Sequence, residues 1–152
     1  MILSRITPFL LLIAVVAGCS TLLVQTAPET DDLRAKTFAP IPGHAVVYVV
    51  RDSSLFGADY TSDFIVNGKL VATGARSRYN VVVLPPGDYK LGVTSSYQAG
   101  QYFAFPLRVD AGAIYYLQVD WETPIGFVLK RMPPENARAE ITKGKLISWR
   151  EF

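Results

Sequence analysis

Two runs of this chain leave it little choice of architecture. Ala45-Val46-Val47-Tyr48-Val49-Val50 and Val81-Val82-Val83-Leu84 consist of strand-forming residues with no polar position between them. Successive side chains of a strand point to opposite faces, so each run has to be covered on both sides. A transmembrane β-barrel is disfavoured on the same ground, because its strands alternate a lipid-facing residue with a polar lumen-facing one. Further strand signals follow at short spacing. Phe64-Ile65-Val66, Asn67-Gly68 and Leu70-Val71-Ala72 predict a tight hairpin, since Asn-Gly accepts the positive φ angles of a type I′ turn. The strand Tyr79–Leu84 stops at Pro85-Pro86-Gly87-Asp88, which fits a type II turn. Tyr89, Leu91 and Val93 alternate with Lys90, Gly92 and Thr94 as a half-buried strand would. Phe103, Phe105, Leu107 and Val109 form another alternation, and Pro106 within it points to an edge strand or a bulge. Ile114–Trp121, Ile125–Leu129 and Lys145–Trp149 complete the set. Only Pro134–Ile141 reads as helix, with Pro in the first turn and Glu135 near the positive end. The chain is therefore expected to be mainly β: a seven- to eight-stranded antiparallel β-sandwich with one short C-terminal helix.

The segment before these strands reads as an address. Arg5 is the one charge ahead of an apolar run from Phe9 to Ala17, and small residues follow. That order is the order of a secretory signal. A membrane span needs about 20 apolar residues, roughly twice what is present. Val16-Ala17-Gly18-Cys19 resembles the bacterial lipobox. The resemblance implies cleavage between Gly18 and Cys19, a diacylglycerol on the Cys19 sulfur and an acyl chain on the new amine. No other cofactor is expected. Two or three acyl chains hold a protein to a bilayer durably, where one is marginal. Cys19 is the sole cysteine, so lipidation leaves neither a free thiol nor a disulfide. Ser20 is similar to the residue that sorts such proteins to the outer membrane. The expected location is the cell envelope, on the inner leaflet of the outer membrane and facing the periplasm.

Three segments result: a cleaved signal over 1–18, the lipidated Cys and a flexible linker over 19–43, and a β-sandwich domain over 44–152. The linker reading rests on Thr21, Thr26 and Thr30, the acidic patch Glu29, Asp31 and Asp32, and prolines 28, 40 and 42, with no periodicity beyond a possible short helix at 29–36. Cleavage removes Arg5 and leaves the charge near neutral, which argues against a nucleic-acid partner.

Little in the chain speaks for catalysis. His44 is the only histidine, and no triad can be assembled without it. Asp52, Asp59, Asp63, Asp88, Asp110, Asp120 and Glu122 are scattered, mostly at turns, where Asp serves local hydrogen bonds. Their spacing fits no calcium loop, and zinc lacks its usual ligands. Aromatic residues are the remaining lead. Tyr97, Tyr102, Phe103 and Phe105 form one group, and Tyr115, Tyr116 and Trp121 another. Most such residues serve the core and cross-strand pairing. Period-2 alternation nevertheless sends Tyr115 and Tyr116 to opposite faces, so one of them is available to a surface. A candidate binding patch therefore comprises Tyr97, Tyr102, Tyr115 and Tyr116 with Arg76 and Arg78 beside them.

The lipobox, Val46–Arg51, the Val66-Asn67-Gly68-Lys69 hairpin, Val83–Leu91 and Asp110–Val119 together resemble a bacterial family of small lipoproteins known as a domain of unknown function (DUF2846-like). The Pro-Gly-x-Tyr-x-Leu turn is similar to prealbumin-like and other immunoglobulin-like sandwiches. The resemblance covers roughly Ala45 to Ile141 and implies the same sandwich and envelope location, with no reaction attached. The expected role is a non-enzymatic binding or assembly accessory, held to the membrane by lipid, with an envelope protein or a glycan as partner. A purely structural or stress-linked lipoprotein and a glycan-acting hydrolase are the alternatives.

Overall fold

The computed structural model describes residues 24–152. A helix, α1 (Glu29–Ala35), precedes the strands β1 (Ala45–Arg51), β2 (Ser62–Val66), β3 (Lys69–Gly74), β4 (Arg78–Leu84) and β5 (Gly87–Thr94). One 3₁₀ turn at Ser96–Gln98 leads to β6 (Phe105–Val109), β7 (Ile114–Glu122), β8 (Gly126–Arg131), helix α2 (Pro134–Lys143) and β9 (Lys145–Glu151). The strands form two sheets, one in the order β8-β7-β1-β4-β9 and the other β3-β2-β5-β6. The mainly β sandwich with a short helix near its C-terminus is the architecture expected from the sequence.

Within that architecture there are nine strands, and the larger sheet is mixed. β1 runs antiparallel to β4 but parallel to β7, and β9 runs parallel to β4. The parallel neighbours are joined by long excursions rather than hairpins, as parallel pairing requires. Asn67 and Gly68 both carry positive φ, 48° and 79°, as the type I′ turn between β2 and β3 demands. Pro85 and Pro86 do not turn a hairpin; they carry the chain from one sheet to the other. Pro106 sits on β6, an edge strand, where its missing N–H costs no ladder bond.

Two apolar layers explain the two-faced runs. Val47, Val49, Val82 and Leu84 face the second sheet, packing with Phe64, Leu91, Leu107, Leu117 and Phe127. Val46, Tyr48, Val50, Val81 and Val83 face outward, where α1 and α2 cover them with Ala35, Ala137 and Ile141.

The linker expectation is corrected for residues 27–43. Ala27 N–H donates to Leu146 O at 2.9 Å, tying this segment to β9. Asp32 is buried, and its carboxylate accepts from Tyr79 Oη at 2.7 Å, Leu146 N at 2.8 Å and Lys36 Nζ at 2.8 Å. Tyr48 Oη donates to Ala35 O at 2.7 Å. The segment shows no helical period because only Asp32 and Ala35 are buried in α1, and one of them is charged. Gly18 and Cys19 lie outside the described residues. Among the described residues no helix is long and apolar enough to cross a membrane.

Candidate functional site

The end of the sandwich where β1 finishes carries three connections: residues 52–61, 95–104 and 123–125. They meet over an aromatic stack. The Tyr60 and Trp121 rings lie nearly parallel, 7° apart with centroids at 5.8 Å. Tyr97 leans on both, at 5.7 and 5.0 Å. Phe127 meets Trp121 edge-on at 5.1 Å and carries the stack into the core. Offset and edge-on pairs of this kind add about 0.5–1.5 kcal/mol beyond the area they bury.

Two buried polar side chains build this end. Arg51, at 5% exposure, donates to Tyr60 O at 2.5 Å and Gly57 O at 2.6 Å, and its guanidinium lies 4.5 Å above the Phe127 ring. Burial holds Arg51 below its usual range, with Arg76 adding to the effect and Asp52 opposing it. Gln98 pairs with the Phe127 backbone like a strand: its Nε2 donates to Phe127 O at 3.0 Å and its Oε1 accepts from Phe127 N at 3.1 Å. Close approach is secured by glycine. A Cβ on Gly57 (φ 68°) would lie 2.6 Å from the Trp121 ring, and one on Gly92 would collide with Tyr102. Arg51→Lys is expected to cost about 1–3 kcal/mol, because one ammonium cannot serve two carbonyls and a ring together. Limited proteolysis with mass mapping would show it as earlier cleavage within residues 52–61.

Beside the stack lies an open cleft of about 500 Å³, walled by Tyr97, Gln98, Gln101, Tyr102, Phe103 and Ile125. Its lining is mainly aromatic and apolar, with the exposed Gln101 amide beside it. Such a surface can hold an apolar or amphipathic ligand by contact.

Of the six residues read from the sequence as a patch, the structure brings Tyr97 and Tyr102 together here. Arg76 and Arg78 lie at the same end, at the β3–β4 turn. Tyr116 is buried and stacks on Tyr48 at 5.3 Å beneath α2. Tyr115 stands at the opposite end, where its hydroxyl accepts from Asp110 N at 3.1 Å. The two neighbours point to opposite faces as alternation requires, but both faces are covered, so neither joins the patch. Tyr60, Gln98, Leu55 and Phe56 were missed. The pair Leu55-Phe56 in a Ser- and Asp-rich loop was the available signal, whereas nothing local marks Gln98.

Among the described residues, all but Asp59 of the seven carboxylates named from the sequence have a hydrogen-bond or ion-pair partner. Asp120 and Glu122 both grip Lys130, at 2.6 and 2.7 Å, and these bonds hold the ammonium above its usual range. Asp63 accepts from Thr73 Oγ1 at 2.8 Å, and Asp52 from Ser54 N at 2.8 Å and Gln118 at 3.1 Å. His44 Nδ1 lies 3.5 Å from Pro42 O. Among the described residues no group of three or more His, Cys, Asp or Glu could hold a metal.

A family described as a protein of unknown function (DUF2846) matches residues 42–129, more than half of the chain. No curated protein matches it.

Proposed function

This chain belongs to the DUF2846 family, and from its signal and lipobox pattern we propose that it is a lipid-anchored lipoprotein of the cell envelope. The anchor is Cys19, and the domain faces the periplasm as a non-enzymatic binding or assembly accessory. Its working face is the aromatic end. The observation that carries this reading is the construction of that end: Arg51 and Gln98 are buried to hold it, yet Tyr97 and Phe103 are left exposed. The signal and lipobox pattern support the location, and the engagement of the carboxylates in ion pairs and turns supports a role without catalysis.

In-cell photo-crosslinking tests it. A photoreactive residue replaces Tyr97 in one variant and Leu70, at the far end, in another. Adducts are expected at position 97 and not at 70, and Cys19→Ser is expected to remove them by releasing the chain from the membrane. Equal labelling at both positions, or none at 97, would overturn the reading.

A further inference from the structure

Nine large apolar side chains are exposed among the described residues, and six of them crowd one end: Leu55, Phe56, Tyr60, Tyr97, Phe103 and Ile125. Leu55, Phe56 and Phe103 are 77%, 74% and 56% exposed. Only Leu70 and Phe152 stand at the other end, and Leu33 lies on α1. Concentrated exposure of this kind marks a surface that something covers.

The path of the chain says what covers it. Ala27 is fixed to Leu146, the second residue of β9. Lys145 is in register with Arg78, and Arg78 with Arg51, the last residue of β1. The chain therefore leaves the sheet at the same end that carries the aromatic loops. Only seven residues separate Ala27 from Cys19, eight steps of chain. Eight steps of chain reach at most about 28 Å. A lipid on Cys19 would thus hold this end, and not the other, against the bilayer.

The side chains suit that place. Tyr and Trp favour the headgroup level, where one edge is wet and the other apolar. Arg76 and Arg78, at the same end, form no ion pair among the described residues, and a guanidinium grips phosphate in two-point fashion. We infer that the aromatic end of the sandwich rests on the bilayer that carries the Cys19 lipid, with Leu55, Phe56, Phe103 and Ile125 in the headgroup region and Arg76 and Arg78 on lipid phosphates. This rests on the lipoprotein reading and names the lipid surface as partner of the working face.

The test uses the lipidated full-length product in vesicles of phosphatidylethanolamine and phosphatidylglycerol. Acylation blocks Cys19, so Leu55→Cys, Phe103→Cys or Leu70→Cys each supplies one reactive thiol for an environment-sensitive fluorophore. Probes at 55 and 103 are expected to emit at shorter wavelength, to be quenched by headgroup-labelled lipid, and to show several-fold less iodide quenching than at 70. Arg76→Gln with Arg78→Gln should weaken this contrast in anionic vesicles. A lipidated, vesicle-bound chain with position 103 as wet as position 70 overturns the inference alone. A product whose N-terminal peptide carries no acyl mass overturns the anchor reading, and the inference with it. A protein adduct from position 103 in cells, with the vesicle probe in water, assigns this face to a protein instead.

Discussion

Phe127→Ala is expected to lower the unfolding free energy by about 3–5 kcal/mol, the range for deleting a buried aromatic ring. The ring is 2% exposed and belongs to the core between the sheets. It is also the surface beneath Trp121 and Arg51. The cavity would free the Trp121 ring, and the Arg51 guanidinium would lose its apolar bed. Urea denaturation should report a lower midpoint with an unchanged slope. Near-ultraviolet circular dichroism should lose its aromatic signature even at temperatures where the sheet persists. Phe127→Leu, which refills most of the space, should recover most of the stability and little of the aromatic signal. Equal recovery of both would mean that the stack forms without its core support.

Asp32→Ala is expected to cost about 3 kcal/mol, since it orphans the buried Leu146 N–H and removes the acceptor of Tyr79 Oη. The charge matters as well. Burial pushes the Asp32 carboxyl up, but hydrogen bonds from Lys36, Tyr79 and Leu146 outweigh it and hold the group below its ordinary value of 3.8. A carboxyl lowered in the folded state stabilises the fold above its unfolded value and loses that contribution as pH falls through its folded value. Stability should therefore decline below about pH 4, and Asp32→Asn should flatten that decline while keeping part of the hydrogen bonding. An unchanged acid limb in the Asn variant would assign the decline to other carboxylates.

Local physics made the first strand, the Asn67-Gly68 hairpin, the α2 helix and the edge position of Pro106 legible in the sequence. Each is decided by residues within one or two turns of chain. The direction of β7 and β9 was not legible, because a strand carries no mark of whether its neighbour runs with it or against it. Residues 27–43 looked like linker because their attachment combines one carboxylate, two tyrosine hydroxyls and backbone groups with apolar contacts from Ala27, Ala35, Phe38 and Ile41, whose uneven spacing makes no hydrophobic period. The candidate site was legible only in part. Its aromatic residues come from two connections and the strands β7 and β8, dozens of positions apart, and the amide that ties one connection to β8, Gln98, is indistinguishable from a surface glutamine until it meets Phe127. Tyr115 and Tyr116 misled for the opposite reason: alternation places them correctly, but it is silent on whether the outer face of the sheet is roofed by helices.

The attachment of Ala27 and Asp32 to the start of β9 also has a mechanical meaning. Under the proposed Cys19 anchor, a pull on the N-terminal chain would meet the fold first at this strap. β9, to which the strap is bonded, is itself held in the sheet by its parallel pairing with β4. The strap around Asp32, built from a few hydrogen bonds outside the two sheets, would take such a load before the sandwich does.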